Sequence, residues 1–115
     1  MTRKRLPVTR KGISHSVVIG DKHKLYIQTG EYDDGQLGEV FIRLDKAGQE
    51  LRVYDVLATC ISIGLQSGVP LATYIHHLKG QHIEPSGVTD NPDILIATGI
   101  ADYLGRWLEL KYLHK

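Results

Sequence analysis

A chain of 115 residues, 42% hydrophobic and 23% charged, is one domain's worth of ordinary globular sequence, too short for a two-domain enzyme and neither disordered nor fibrous in composition. No apolar run reaches the roughly 18–20 residues of a membrane span, and the basic N-terminus lacks a signal peptide's apolar core, so a soluble cytoplasmic protein is expected. One cysteine, Cys60, excludes an internal disulfide framework and a cysteine-only metal cluster within one chain.

The net charge of +1 conceals a split. Arg3, Lys4, Arg5, Arg10 and Lys11 lie in the first eleven residues with no acid among them, whereas the remaining nine basic and thirteen acidic residues leave −4. Residues 1–11 therefore form a basic arm on a mildly acidic single domain, residues 12–115. Such an arm is either a solvated terminus or an electrostatic contact with phosphate or with an acidic neighbour.

From Gly12 to Leu44 the apolar period is close to two. Ile13, His15, Val17 and Ile19 alternate with Ser14, Ser16 and Val18, and Gly20-Asp21 gives a turn. Leu25, Ile27 and Thr29 form a second run ended by Gly30. After the polar stretch Glu31 to Gly38, Val40, Ile42 and Leu44 alternate with Phe41 and Arg43. This pattern predicts half-buried antiparallel strands, closed by Asp45 to Gln49.

The second half predicts helices. Glu50 to Gln66 carries apolar residues at helical spacing, broad enough for burial on more than one side. Ser67-Gly68 stops it, and Pro70 precedes a second helix bearing Leu71, Tyr74, Ile75 and Leu78, with Gly80 as its left-handed terminal residue. After a loop, Gln81 to Asp90, Asn91 is placed to cap a third helix with Pro92 at its first position and Asp93 at the positive dipole end. That helix is predicted to run to about Tyr112, with Ile94, Ala97, Ala101, Leu104, Trp107 and Leu108 as its apolar stripe and Asp102, Arg106 and Glu109 at ion-pair spacing. Strands followed by about three helices make an α+β fold, a small antiparallel sheet covered by helices. A sheet this small leaves an edge or face open, so a homo-oligomer is expected.

Little here supports catalysis. Cys60 lies on an apolar helical stripe and reads as a small buried hydrophobe. His76 and His77 point about 100° apart on a helix and lack a ligand four residues away, so no metal site is expected within one chain. His15, His23 and His114 read as surface or terminal residues. The segment His82 to Asp93 is richer: hydroxyls, an amide, carboxylates and a histidine before a predicted helix start suit an anion or the polar edge of a base. The alternative is that Ser86, Thr89 and Asn91 only cap and turn. Arg43, Arg52 and Arg106, the only arginines outside the arm, would each clamp a phosphate or pair with an acid, Asp102 being at hand for Arg106.

The run Glu84-Pro85-Ser86-Gly87-Val88-Thr89-Asp90-Asn91-Pro92-Asp93-Ile94, followed by Ile100-Ala101-Asp102-Tyr103-Leu104-Gly105-Arg106-Trp107-Leu108, resembles the C-terminal region of adenosylcobalamin-dependent (class II) ribonucleotide reductases, the module called a TSCPD domain. Arg5-Leu6-Pro7 with Thr9-Arg10 and His15 looks like the entry to that module. Gly30-Glu31-Tyr32-Asp33-Asp34-Gly35 with Gly38-Glu39-Val40-Phe41-Ile42 looks like its hairpin, and Leu65-Gln66 with Gly68-Val69-Pro70-Leu71 like its helix junction. The resemblance places at least the middle of the arm inside the module's boundary. The reductase needs a large barrel, a thiyl cysteine, a reducing cysteine pair and a cobalamin site. With one cysteine, no room for a barrel and no cysteine-rich tail, this chain is not expected to be an enzyme or to carry a cofactor.

Two functions follow from that resemblance and from the loop. In the first, an oligomeric protein binds a nucleotide-derived ligand, with Arg106 and Arg52 on phosphates, Asn91 and Thr89 on a base or ribose, His82 stacking or hydrogen-bonding, and Ser86 and Arg43 completing the set. Small phage proteins that sequester cyclic nucleotide or cyclic ADP-ribose immune signals are similar in outline. In the second, the chain is an accessory module docking on a separate reductase catalytic chain. Membrane binding is not expected. Nucleic-acid binding is disfavoured by the acidic body and by aromatics not interleaved with basic residues.

Overall fold

The structure is a computed structural model and describes residues 2–20, 22–45 and 52–113. The predicted turn residue Asp21, the close of the strand half at 46–49, the helix start at Glu50 and Leu51, and His114 lie outside the described residues. The order of elements is β1 (Ser14–Ile19), β2 (His23–Glu31), β3 (Leu37–Leu44), α1 (Val53–Gln66), α2 (Leu71–Leu78), β4 (Gly87–Val88), β5 (Ile96–Ala97) and α3 (Ile100–Leu108), which continues as a π-helical turn, Glu109–Leu113. The fold is α+β, with a small antiparallel sheet first and three helices after it. The chain divides into two compact units, Met1–Ser16 with Leu25–Pro70, and Val17–Lys24 with Leu71–Lys115.

In the first unit the alternation of the sequence becomes the two faces of a sheet. The sheet order is β1-β2-β3, and β2 pairs antiparallel with β3 in the register Leu25↔Leu44, Ile27↔Ile42, Thr29↔Val40, with an irregularity at Gly30/Glu31. Leu25, Ile27, Thr29, Val40, Ile42 and Leu44 are buried, while Phe41 and Arg43 point away from the core. As an edge strand, β3 has backbone groups with no strand to pair with, and α1 supplies partners from its side chains. The Val40 amide donates to Ser62 Oγ at 2.9 Å, and Gln66 Nε2 donates to Gly38 O at 3.0 Å. Ser62 and Gln66 are buried for this reason, beside Tyr54, Ala58 and Ile61.

That orientation corrects one expectation about α1. The helix is buried on a single side, and Cys60 is exposed rather than buried, because it sits with Val53, Val56 and Ile63 on the face turned away from β3.

The arm is tied down along its length. Lys4 N donates to Gln66 O at 2.7 Å, Arg3 Nε to Gln66 Oε1 at 2.6 Å and Tyr32 OH to Lys4 O at 2.6 Å. Lys4 Nζ stands 4.7 Å from the centre of the Tyr32 ring, and Arg10 Nε meets Glu39 Oε1 at 2.5 Å. The Glu31 amide donates to Lys11 O, extending the pairing along β2.

In the second unit α3 is the centre. Every residue from Ile100 to Leu108 except Arg106 is buried, with Tyr103, Leu104, Trp107 and Leu108 fully so. α2 packs on α3 closely enough that a Cβ on Gly105 would lie 2.9 Å from Leu78 Cβ, so glycine is what the approach permits. Gly80 ends α2 at φ +82°, as its position predicts.

The predicted long third helix is shorter than expected. Residues 91–99 are not its first turns: Asn91 to Ile94 form a turn, and Ile96–Ala97 pair antiparallel with Gly87–Val88 in the register Val88↔Ile96. Asn91 Oδ1 accepts the Asp93 amide at 3.0 Å, and Asn91 O accepts the Ile94 amide, so Asn-Pro-Asp closes on itself as a side-chain turn and the helix begins only after Gly99. The same residues that favour an N-cap also favour this turn, and the β4–β5 pairing decides between them.

Candidate functional site

Within the second unit the 82–93 segment and α3 form one hydrogen-bonded cluster. Thr89 is buried. Its hydroxyl donates to Ile94 O and accepts the Asn91 amide at 3.1 Å, while its own amide donates to Leu95 O. Asp90 reaches β1, where its Oδ1 accepts the Val18 amide at 2.9 Å. Asn91 Nδ2 donates to Tyr103 OH at 2.9 Å, which ties the turn to the middle of α3. Burial pushes the Tyr103 hydroxyl above its usual range and the Asp90 and Asp93 carboxylates push the same way, against the bond from Asn91.

Asp102 is the second node. It is 3% exposed, yet both its oxygens are satisfied: Oδ1 by the Gly80 amide at 2.7 Å, Oδ2 by the Thr98 amide at 3.1 Å and by Arg106 Nη1 at 3.3 Å. Burial works against its charge, but the two amides and the guanidinium together outweigh it and hold the carboxyl below its ordinary range. Arg106 Nη1 also donates to Ile96 O at 2.6 Å, and Thr98 Oγ1 donates to Gln81 O at 2.9 Å. One buried carboxylate thus joins the end of α2, the start of α3 and strand β5.

The seven residues singled out from the sequence fall in different places. Thr89 and Asn91 belong to the inward-facing turn, and Arg106 to the Asp102 node. Ser86 turns to its neighbour Glu84, donating from Oγ to Oε1 at 2.6 Å. His82 is exposed. Arg43 and Arg52 lie in the first unit, Arg43 with its guanidinium 4.7 Å from the Tyr26 ring and Arg52 exposed just before α1. Asp102 and Tyr103, which organise the cluster, entered the sequence reading only as an ion-pair partner and a helix residue.

Three clefts lie in the first unit. In the first unit a cleft of about 620 Å³ is lined by Thr9, Arg10, Lys11, Glu31, Tyr32, Asp33, Asp34 and Gly35. A second, of about 390 Å³, runs from Lys4, Arg5, Leu6 and Pro7 to the same Tyr32, Asp33 and Asp34. The basic arm and the acidic turn face each other across both, a pairing signalled by the opposite charges of residues 3–11 and 31–34. Arg43 lines a third cleft of about 310 Å³ with Tyr26 and Phe41. Among the described residues no three histidines, cysteines or carboxylates are grouped to hold a metal ion, and no helix is long and apolar enough to cross a membrane. Chemically the cluster fixes backbone shape, because its buried polar groups face one another.

The chain is 44% identical over 115 residues to a vitamin B12-dependent ribonucleotide reductase of Bradyrhizobium diazoefficiens, a match covering 98% of this chain and 9% of the relative. It is 42% identical over 112 residues to a protein of the same description from Streptantibioticus cattleyicolor, covering 96% of this chain and 18% of the relative, and 38% identical to one from Rhodopirellula baltica, covering 11% of that relative. The chain therefore spans less than a fifth of the relatives it matches, in their C-terminal region. No solved structure matches it. The TSCPD domain model matches residues 1–112, arm included, and the chain belongs to the TSCPD domain family.

Proposed function

We propose that the protein is a non-catalytic module of a vitamin B12-dependent ribonucleotide reductase, working against the catalytic body of such an enzyme. The observation that carries this is the lopsided coverage: nearly all of this chain matches about a tenth to a fifth of each reductase. The single cysteine agrees, because a reducing dithiol needs two. None of the three clefts described above, of about 310–620 Å³, is lined by a histidine, and no step is assigned to a corrinoid.

A nucleotide-binding role for the 82–93 segment draws no support from the geometry. Thr89, Asn91, Ser86 and the Nη1 of Arg106 hydrogen-bond to protein groups.

The test uses the Bradyrhizobium reductase expressed without its matching region. Adding this protein is expected to give a stable complex on gel filtration and to raise deoxynucleotide formation by the truncated enzyme. No complex and no change in rate, together with calorimetric heat from a cyclic dinucleotide or cyclic ADP-ribose, would replace this reading by the ligand-binding one.

A further inference from the structure

We infer that the outward face of the three-stranded sheet, at the cleft formed by Tyr26, Gln28, Phe41 and Arg43, binds a free adenine mononucleotide, with the base on Phe41 and the phosphate on Arg43. This site is independent of the function proposed above.

On β2 and β3 alternate residues build the core, so the residues between them face away from it: Tyr26 and Gln28 on β2, Phe41 and Arg43 on β3. The register sets Gln28 opposite Phe41 and Tyr26 opposite Arg43. With Ser14 of β1 they line a cleft of about 310 Å³, at the lower end of the size that takes a small molecule. These residues all belong to the first unit.

Three features of the cleft select the ligand. Phe41, the chain's only phenylalanine, is 53% exposed although Val40 and Ile42 on either side of it are in the core. A flat apolar ring held at the surface of a rigid strand suits stacking of a planar group. Arg43 lays its guanidinium over the Tyr26 ring, 4.7 Å from its centre, and pairs with no carboxylate among the described residues. No acid lines the cleft either. Stacking fixes the plane of the guanidinium and leaves its N–H edge for an anion, and a phosphate matches that fork. Beside the Phe41 ring Gln28 carries a donor and an acceptor, the pair that meets the N7 and N6 edge of adenine. Phe41 and Arg43 stand two residues apart on one strand, about 7 Å, which a single nucleotide spans from base to phosphate.

Other occupants meet these groups less well. Two copies pairing face to face would set one Arg43 guanidinium near the other with no acid in the cleft to separate them. An apolar protein surface would strip water from Arg43 and return no acceptor. A nucleic-acid strand needs a basic track and successive rings, whereas this cleft holds one cation and one largely exposed ring. A bare phosphate uses Arg43 and leaves Phe41 and Gln28 without a role.

The test is an NMR titration of the full chain with adenosine monophosphate, and it requires no reductase. Amide shifts are expected at Tyr26, Gln28, Phe41 and Arg43, with those of α3 unmoved. Phe41→Ala and Arg43→Ala, both at exposed positions, should each weaken binding about fivefold or more. Adenosine and inorganic phosphate should each bind about fivefold or more weakly than the monophosphate, a readout that needs no variant. Arg43→Ala should bind adenosine and its monophosphate alike, which assigns the phosphate to Arg43. Inorganic phosphate binding as tightly as the nucleotide would make this a bare anion site and overturn the inference. A short oligothymidylate binding more than tenfold tighter than the monophosphate would give the face to a single strand and overturn it too. So would shifts confined to other residues, or none at millimolar nucleotide. Each of those failures leaves the association with a reductase body standing.

Discussion

Asp102 shows how a single side chain can hold three segments. Its two oxygens take the Gly80 amide, the Thr98 amide and the Arg106 guanidinium, and at 3% exposure no water competes for them. Asp102→Ala leaves two part-buried amides and a part-exposed guanidinium without their acceptor, a loss of about 1–3 kcal/mol, read as a drop in the urea midpoint. The pH dependence carries a sign that identifies the cause. The folded carboxyl titrates below its ordinary 3.8, so its stabilisation is fully present above that value and is lost as pH falls through the depressed one. The stability gap between wild type and Asp102→Asn should therefore be constant from pH 7 to 5 and shrink below about pH 4. A gap that stays the same at pH 3 would mean that packing and not charge sets it. In the sequence the i, i+4 spacing of Asp102 and Arg106 was visible, but the Gly80 and Thr98 amides were not, since they come from other segments.

Elements were legible where one periodicity governed them and illegible where two local rules competed. The period-two runs ending at Ile19, Thr29 and Leu44 became strands because their buried faces lie against apolar residues. The turn chemistry of Asn91-Pro92-Asp93 served a side-chain turn as well as a helix cap, and the two-residue pairing of Gly87–Val88 with Ile96–Ala97 that settled the matter is too short to leave a periodic signal. Ser62 and Gln66, polar residues within an apolar helix, satisfy the edge of β3. Gly105 poses a similar competition in α3. Alanine is favoured over glycine in a helix by about 1 kcal/mol, but its Cβ would meet Leu78 Cβ at 2.9 Å and Lys79 N at 3.2 Å. Backbone cannot yield as a flexible side chain does, so overpacking of about 1–3 kcal/mol wins. Gly105→Ala should melt several degrees below the wild type, and an equal or higher melting temperature would show that α2 shifts at little cost.

At the scale of the molecule, the charge split acquires a structural meaning. The −4 body does not repel its own acidic turn unaided, because the basic arm lies along it: Arg10 on Glu39, and Lys4 over Tyr32, whose neighbours are Asp33 and Asp34. The Arg10–Glu39 pair is part-exposed and contributes modestly, as such pairs do. The larger share comes from groups independent of charge, namely the Lys4 amide on Gln66 O, Tyr32 OH on Lys4 O, and Leu6 against Gly38, where a Cβ would lie 2.7 Å from Leu6 Cδ2. Two models of the arm then separate by experiment. If charge held it, 0.5 M salt, with a Debye length of about 4 Å, would release it and match the effect of deletion. If hydrogen bonds and packing hold it, deletion of residues 2–10 should cost about 2–4 kcal/mol while salt costs the intact protein less than about 1 kcal/mol. Hydrogen exchange gives the location: on deletion the Tyr32 and Gln36 region should lose protection, whereas amides of α3 in the other unit keep theirs. Equal melting temperatures for the full and shortened chains would make the arm a passenger.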